Sequence, residues 1–426
     1  MNGHNEEIVL LPETTFKVIG HTEVNDEFCI IHLQEIKMGS AIGQSPLEIS
    51  SEKIVLDKTV QKKRPVPKPT FWSKNGTTLQ FLDSHLTSEE IQWLSDQLRT
   101  NAYWRTVSLQ SSSIDENEME TFMAVLVSNS IITELCLRRM NFNDSIISIL
   151  TKSLKTNVTI KTLDLSENKI TTIGCQYLAD LFSSNKTLTS LKLSSNELDD
   201  KAGALIVHSL RLNDVSLRNG QDLDAKSDDE TLDEDTDAYV INLDGTYLNI
   251  ENVIQSLNVL DLSRNKLGIC FCQAIELLLA STYCQIVELN LSNNPLKDLG
   301  IKSVMSGLVD NITLTTLHLN EIEITAEGVS SIAEIIRNNK KMTHLALMKN
   351  RIDDEQMILI SKALGQNTAL HTIDLRANQL TDYSSYELAT NIKSGSQLHE
   401  IRLDDNMLTK GGTALVQNVM KERCSQ

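Results

Sequence analysis

Residues 162–170 read TLDLSENKI, and five further stretches repeat the same pattern, apolar-x-Leu-x-x-Asn-x-apolar. These stretches are SLKLSSNEL (190–198), VLDLSRNKL (259–267), ELNLSNNPL (288–296), TIDLRANQL (372–380) and EIRLDDNML (400–408). Apolar residues at every second position are typical of a half-buried β-strand. The chain is therefore predicted to contain a series of equivalent short strands.

The pattern recurs with a nearly constant period. If the first apolar residue of each copy is position 0, eight of the eleven steps between copies are 28 residues and one is 29. Repetition at such a period indicates a stack of similar strand–helix units rather than one large core. Twelve residues occupy position 0: Leu79, Val107, Leu135, Leu163, Leu191, Ile241, Leu260, Leu289, Leu317, Leu345, Ile373 and Ile401.

The spacing within a copy predicts the role of each position. Leu163 and Leu165, at positions 0 and 2, are expected to point into the core. Position 5 is Asn in seven of the twelve copies, and an amide there is expected to bond backbone groups of adjacent turns. Apolar residues at helical spacing, as in residues 328–336, predict a helix after each strand. Thr87 and Glu90 predict a capping box at the start of one helix.

These repeats resemble the ribonuclease-inhibitor class of leucine-rich repeats. The resemblance implies an α/β fold, a horseshoe-shaped solenoid with parallel strands on its concave face and helices on its convex face. We expect this domain to span residues 77–426 in about twelve units, after a small β-rich segment (1–60) and a linker (61–76) rich in proline and lysine. The class includes inhibitors, GTPase activators, actin-cap proteins, immune sensors and ciliary scaffolds, so the fold alone does not identify the function.

An acidic insertion, residues 219–238, interrupts the period between Leu191 and Ile241. It holds nine Asp or Glu residues and a single lysine. A segment so poor in apolar residues is expected to be disordered. It is interpreted either as a solvated insertion or as a docking strip for a basic partner. Ser227 and Thr231, each followed by an acid three residues later, are candidate sites for acidophilic kinases.

The linker prediction rests on residues 61–70, QKKRPVPKPT. This stretch holds three of the six prolines of the chain and four basic residues. Proline-rich segments adopt extended, semi-rigid conformations. A nuclear signal and a ligand for SH3-type domains are the alternative interpretations.

The first segment is predicted to form β-strands at residues 7–19 and 27–36. EIVLLP (7–12), Phe-x-Val (16–18) and IHLQEI (31–36) resemble the C-terminal strands of arginine-type mono-ADP-ribosyltransferases. A Glu-x-Glu pair precedes such a strand in that family, and its second Glu binds the nicotinamide ribose. The resemblance therefore gives Glu7 the catalytic place, whereas Asn5 departs from the motif. The NAD-binding arginine and Ser-Thr-Ser strands of the family precede this glutamate and are not among the six residues before Glu7.

The first segment is interpreted as a remnant of a transferase or as the end of a truncated one. The alternative is an unrelated β-hairpin that packs on the first repeat.

Composition excludes several functional classes. A net charge of −18 disfavours nucleic acids and anionic membranes as partners. No apolar stretch approaches the roughly 18 residues of a membrane-spanning helix. The seven cysteines form no CxxC pair, which favours a reducing compartment; a cytoplasmic protein is expected, with the nucleus as the alternative. No metal-binding or cofactor-binding motif is present, so neither a metal nor a cofactor is expected.

We therefore predict a scaffold or adaptor inside the cell that binds another protein, of unidentified kind, on the concave face. Positions −1, 1, 3 and 4 should line that face. The candidate contact residues are Arg138, Arg139, Lys192, Arg264, His318, His344, Lys349, Arg376 and Arg402.

Two other functions are weighed against this one. The first is a mono-ADP-ribosyltransferase fused to repeats, although the sequence leans against an enzyme because Glu7 has no catalytic partners. The second is a Ran-type GTPase activator, whose acidic stretch follows the repeats instead of interrupting them.

Overall fold

The computed structural model describes residues 7–11, 14–25, 28–36, 71–72, 76–82, 86–100, 103–111, 114–215, 257–392 and 396–424. The chain divides into two compact units, residues 1–63 and 64–426. In the first unit, three strands form an antiparallel sheet in the order β1 (Glu7–Leu11), β2 (Thr14–Asn25) and β3 (Phe28–Ile36). The stretch predicted as one strand at residues 7–19 therefore contains β1 and the beginning of β2, and the stretch predicted at residues 27–36 contains β3.

The second unit is built on a twelve-stranded sheet. One edge strand, β4, is antiparallel to its neighbour β5, and the other eleven strands run parallel in chain order. The strands are β4 (Phe71–Trp72), β5 (Thr78–Leu82), β6 (Thr106–Gln110), β7 (Glu134–Cys136), β8 (Thr162–Asp164), β9 (Ser190–Lys192), β10 (Val259–Asp261), β11 (Glu288–Asn290), β12 (Thr316–His318), β13 (His344–Ala346), β14 (Thr372–Asp374) and β15 (Glu400–Arg402). Strand β4 lies inside the segment predicted to be a linker.

A helix follows each parallel strand. The helices are α1 (Ser88–Arg99), α2 (Glu116–Ser128), α3 (Asp144–Leu154), α4 (Thr172–Ser184), α5 (Asp200–Val215), α6 (Ile269–Leu279), α7 (Lys297–Gly307), α8 (Ala326–Asn338), α9 (Asp354–Leu364), α10 (Asp382–Asn391) and α11 (Lys410–Cys424). At α1, the backbone N–H of Thr87 donates to Glu90 Oε2 at 2.7 Å, and the N–H of Glu90 donates to Thr87 Oγ1 at 3.4 Å. The predicted capping box is therefore present, and the α/β solenoid is confirmed.

The core lies between the sheet and the helices. Leu163 and Leu165 are fully buried, as their positions 0 and 2 predict. Val329, Ile332 and Ile336 of α8 are also buried, so the helices contribute the opposite wall of the core. Every repeat thus adds one thin apolar layer to a continuous stack.

Buried asparagines at position 5 connect the repeats. Asn168 Nδ2 donates to the carbonyls of Leu137 and Leu165, at 2.9 and 2.8 Å. Its Oδ1 accepts the backbone N–H groups of Met140 and Phe142, both at 3.0 Å. One side chain therefore satisfies backbone groups of two successive turns, as predicted.

A second series of asparagines, not foreseen from the sequence, lies 22 residues after position 0. Asn157 Nδ2 donates to Leu126 O at 2.7 Å, and its Oδ1 accepts the N–H groups of Thr159 and Ile160. These side chains fix the turn that leads from each helix to the next strand. The described members of the series are Asn129, Asn157, Asn185, Asn311, Asn339 and Asn367.

Strand pairing corrects the predicted number of units. Leu191 of β9 pairs directly with Leu260 of β10, so no strand containing Ile241 lies between them. The described sheet therefore has eleven parallel strands, not twelve. The step from Leu191 to Leu260 is 69 residues, 41 more than the regular 28, and the extra residues connect α5 to β10. Ile241 and the acidic stretch 219–238 lie outside the described residues.

Candidate protein-binding face

The sheet has one side packed against the helices and one side that is not. Because successive side chains of a strand point to opposite faces, the residues at positions −1, 1 and 3 lie opposite the buried leucines. Neighbouring strands are in register, for example Thr316 beside His344 and Thr372 beside Glu400. We call this side of β5–β15, with the turn that follows each strand, the strand face.

The nine candidate residues are spread along the strand face and do not form one cluster. They lie on or directly after seven strands: β7 (Arg138, Arg139), β9 (Lys192), β10 (Arg264), β12 (His318), β13 (His344, Lys349), β14 (Arg376) and β15 (Arg402).

Arg138 and Arg139 are brought together by one acidic residue on the next repeat. Arg138 Nε lies 2.8 Å from Glu167 Oε1, and Arg139 Nε lies 2.7 Å from Glu167 Oε2. The hydrogen bonds from Arg138, and then those from Arg139, outweigh the effect of burial and lower the pKa of Glu167. Glu167 therefore pairs with both arginines and compensates one of their two positive charges.

Two arginines near the C-terminal end are ion-paired on the strand face. Arg376 donates to Asp374 with Nε–Oδ1 and Nη2–Oδ2 distances of 2.9 and 2.6 Å. Arg402 Nε lies 2.7 Å from Glu400 Oε1. Burial by itself raises the pKa of Asp374, but the bonds from Arg376 outweigh it and lower that pKa.

The remaining pairs on this part of the face are looser. Lys349 Nζ lies 3.8 Å from Glu321 Oε2, and His318 Nε2 lies 3.6 Å from Glu288 Oε1. His344 contacts a hydroxyl instead of an acid, with 2.8 Å between its Nδ1 and Thr343 Oγ1.

Lys192 and Arg264 differ from the other cationic residues. Within the part of the chain that the structure describes, neither forms an ion pair within 4.0 Å. Lys192 is half-buried on β9, and Arg264 is exposed in the turn after β10, the strand that pairs directly with β9. The strand face therefore has two cations without an ion pair on adjacent repeats, with Asp164 and Asp261 opposite Lys192 on the neighbouring strands.

Sequence reasoning overlooked three polar residues beside these cations. Asp261, at position 1 of β10, accepts the backbone N–H of Ser263 on Oδ1 at 2.9 Å. Ser263 in turn donates its hydroxyl to Ser194 Oγ at 3.0 Å. Asp261 occupies position 1 and the two serines occupy position 3. The repeat pattern predicts that both positions lie on the concave face, so it could have identified these residues.

The residues that the structure describes form no metal centre. In those ranges, no three His, Cys, Asp or Glu side chains are arranged to hold a metal ion. Burial, reinforced by the nearby Asp164 carboxylate, raises the pKa of the Cys136 thiol on the strand face, so this thiol stays protonated. Glu7 begins β1, whereas Asn5, Ser227 and Thr231 lie outside the described residues. None of the described helices has the length and apolar character required to cross a bilayer.

Comparison with known proteins supports the repeat assignment. The family model "Leucine Rich repeat" matches residues 156–179, 184–207, 284–305, 310–333 and 338–361. NACHT, LRR and PYD domains-containing protein 14 of Homo sapiens is 28% identical over 249 residues, which cover 57% of this chain and 21% of that protein. Ribonuclease inhibitor of Sus scrofa is 24% identical over 253 residues, which cover 52% of this chain and 53% of the inhibitor. The match therefore spans about a fifth to about half of the length of these two relatives.

An internalin from Listeria monocytogenes is similar in structure, with a TM-score of 0.41 and 16% identity over 80% of this chain and 84% of that one. The resemblance of residues 5–36 to an ADP-ribosyltransferase finds no support in these comparisons.

Proposed function

Because the chain is a ribonuclease-inhibitor-like leucine-rich-repeat protein, we propose that it binds another protein through the strand face, as a scaffold or adaptor inside the cell. The observation that carries the proposal is the register of the eleven parallel strands. It places one row of side chains per repeat, roughly 4.8 Å apart, on a single continuous surface. Such an extended surface suits a macromolecular partner better than a small molecule, which usually binds in a concave pocket.

The backbone beneath this surface is held firmly. Asn196 Nδ2 donates to Leu165 O at 2.9 Å, and Asn350 Nδ2 donates to Leu319 O at 2.7 Å, so the turns after the strands are tied to the preceding repeats. A surface that is already ordered loses little conformational entropy when a partner binds. This favours recognition by a rigid face.

Charge favours a protein over a nucleic acid as the partner. The strand face carries both signs, as the Arg376–Asp374 and Arg402–Glu400 pairs show. A surface with mixed charge suits a partner with mixed charge, whereas a net charge of −18 repels a polyphosphate at long range.

The test compares two positions in the same repeat on opposite sides of the sheet. Thr316 lies on the strand face in β12, and Glu334 is exposed on α8. A photo-crosslinking amino acid at position 316 should capture a partner in cells, and the same group at position 334 should not. The captured protein is then purified, and its Kd is measured by titration calorimetry.

Thr316→Trp should weaken binding of the purified partner at least about tenfold, because an indole blocks the centre of the face. Glu334→Trp should leave the Kd within about twofold. If the Glu334 variant loses binding and the Thr316 variant does not, the helical side is the interface and the proposal is wrong.

A further inference from the structure

We propose that the strand face binds an acidic protein segment at the junction of β9 and β10, with carboxylates of that segment contacting Lys192 and Arg264. The inference rests on the proposed function, because it names the chemistry of the partner at one place on the same face. The two strands are adjacent in the sheet, and Lys192 pairs with Asp261 across them. Arg264 follows Asp261 by three residues, in the turn after β10.

The first argument is the availability of these two cations. A carboxylate that approaches Arg138 or Arg376 must compete with the acid already bound there, Glu167 or Asp374. Lys192 and Arg264 have no such competitor within ion-pair distance among the described residues. An incoming carboxylate therefore breaks no existing ion pair at this junction, although Asp164 and Asp261 beside Lys192 carry the same charge as the carboxylate.

The acids beside Lys192 are already engaged in the turns. Asp164 Oδ1 accepts the backbone N–H of Ser166 at 2.9 Å, and Asp261 Oδ1 accepts that of Ser263 at 2.9 Å. Each carboxylate stabilises the turn of its own repeat. Lys192 lies between these two acids in the register of the sheet, yet no ion pair within 4.0 Å joins it to either.

Ser194 supplies two further donors at the same place. In neighbouring repeats, the acid at position 1 (Asp164 or Asp261) accepts the backbone N–H of the residue at position 3. In the repeat of β9, position 1 is Lys192, which cannot accept a hydrogen bond. The backbone N–H of Ser194, at position 3, therefore has no acceptor among the described residues. Ser194 Oγ accepts the hydroxyl of Ser263, which leaves its own hydrogen available for donation. An N–H, an O–H and two cations thus lie on one junction, and all four groups suit carboxylate oxygens.

The environment allows a peptide to approach closely. Ser194 and Ser263 are small, and Ser263 is buried at the base of the surface. Beneath them, Asn265 ties β10 to β9 through bonds to Asn196 N and Leu193 O, at 2.9 and 3.1 Å. The donors are therefore presented on a fixed backbone, which reduces the entropy lost on binding.

The test uses a fluorescein-labelled polyglutamate peptide and measures its affinity by fluorescence anisotropy. Exposed ion pairs contribute up to about 1 kcal/mol each, or roughly fivefold in Kd. Combined Lys192→Ala and Arg264→Ala substitution should therefore weaken polyglutamate binding about tenfold or more. The matched control, Lys349→Ala with Arg376→Ala, also removes two positive charges from the face, but these are paired with Glu321 and Asp374. It should change the Kd by no more than about twofold.

A charge-conserving variant, Lys192→Arg with Arg264→Lys, should retain most of the binding. Circular dichroism checks that every variant is folded.

Three results would overturn the inference. Equal losses in the two alanine pairs would indicate diffuse attraction to the whole face. Polyglutamate that fails to bind, or binds the Lys192 and Arg264 variant as tightly as the unmodified protein, would exclude an acidic contact here. A single-stranded oligonucleotide that binds tighter than polyglutamate and depends on the same residues would make the ligand a nucleic acid. Crosslinking at Thr316 is independent of these measurements, so the proposed protein-binding function can survive the failure of this one.

Discussion

Substitution of Asn265 by alanine probes how firmly the repeats are joined across the 41-residue insertion. Asn265 Oδ1 accepts the backbone N–H groups of Asn196 and Leu198, at 2.9 and 3.1 Å. Its Nδ2 donates to Leu193 O at 3.1 Å and to Leu262 O at 2.9 Å. The side chain therefore joins two repeats that are 69 residues apart in the chain.

Alanine at position 265 removes both the acceptor and the donor. A buried backbone group that loses its partner costs about 1–3 kcal/mol, and two buried N–H groups are affected. We expect Asn265→Ala to lower the free energy of unfolding by about 3–5 kcal/mol, allowing for partial relaxation. Equilibrium urea denaturation followed by circular dichroism measures this change. A second transition should also appear, because repeats interact only with their neighbours and the weakened junction divides the array.

Asn406→Ala is the matched control at the C-terminal end. Asn406 Oδ1 accepts one backbone N–H, that of Leu380 at 3.2 Å, and the residue is only half-buried. We expect a smaller loss, about 1–2 kcal/mol. An Asn265→Ala effect below about 1 kcal/mol, or no larger than that of Asn406→Ala, would refute the view that the position-5 amides hold the repeats together.

Two further predictions concern the insertion and the response to acid. Deletion of residues 219–238 should change the Tm measured by scanning calorimetry by less than about 4 °C, because β9 and β10 pair directly without them. Such a shift corresponds to roughly 1–2 kcal/mol of unfolding free energy for a domain of this size. A larger drop in Tm would mean that the deleted residues pack on the repeats. Burial raises the pKa of Asp298, but bonds from Thr325 and Gly328 outweigh it and lower that pKa. The stability it contributes is therefore complete above the unfolded pKa, about 4, and is lost as pH falls through the lower folded value. Asp298→Asn should flatten the decline of urea stability below about pH 4, and an unchanged acid profile would contradict this assignment.

The sequence predicted the strands, helices and position-5 asparagines because their constraints are local and repeated. A buried apolar residue such as Leu163, and in most copies a bonded amide such as Asn168, recur at the same position of the repeat. The second series of asparagines has an equally regular spacing, for example at Asn157 and Asn185. The strand pattern does not include this series, because these residues lie in the turns that precede the strands.

Ile241 illustrates a failure that no local reading could avoid. Its surroundings, YVINLDGTYL, have the alternation and β-branched residues of a strand, as the true repeats do. Whether such a stretch joins the sheet depends on which strand pairs with β9. That pairing is a contact between residues far apart in the chain. Direct pairing of Leu191 with Leu260 settles that choice against it.

The candidate site was harder to predict than the fold, because its residues are not required by the repeat. Spacing placed Arg138 and Lys192 on the strand face, but it could not say which cations an acid in the next repeat neutralises. That outcome depends on side-chain geometry. Glu167 pairs with both Arg138 and Arg139, whereas neither Asp164 nor Asp261 lies within ion-pair distance of Lys192.

Residues at position 1 of the repeat differ in whether they stabilise the turn that follows the strand. Asp164, Asp261 and Asp374 each accept the backbone N–H two residues later, so an acid at this position serves the turn. Lys192 cannot accept such a hydrogen bond, so its repeat lacks this stabilisation of the turn. Lys192 also lacks an ion pair among the described residues. Other repeats also lack an acid at position 1, for example at Cys136 and Ala346, so the turn does not require one. The proposed contact with an acidic segment makes the β9–β10 junction the first place to test for a partner.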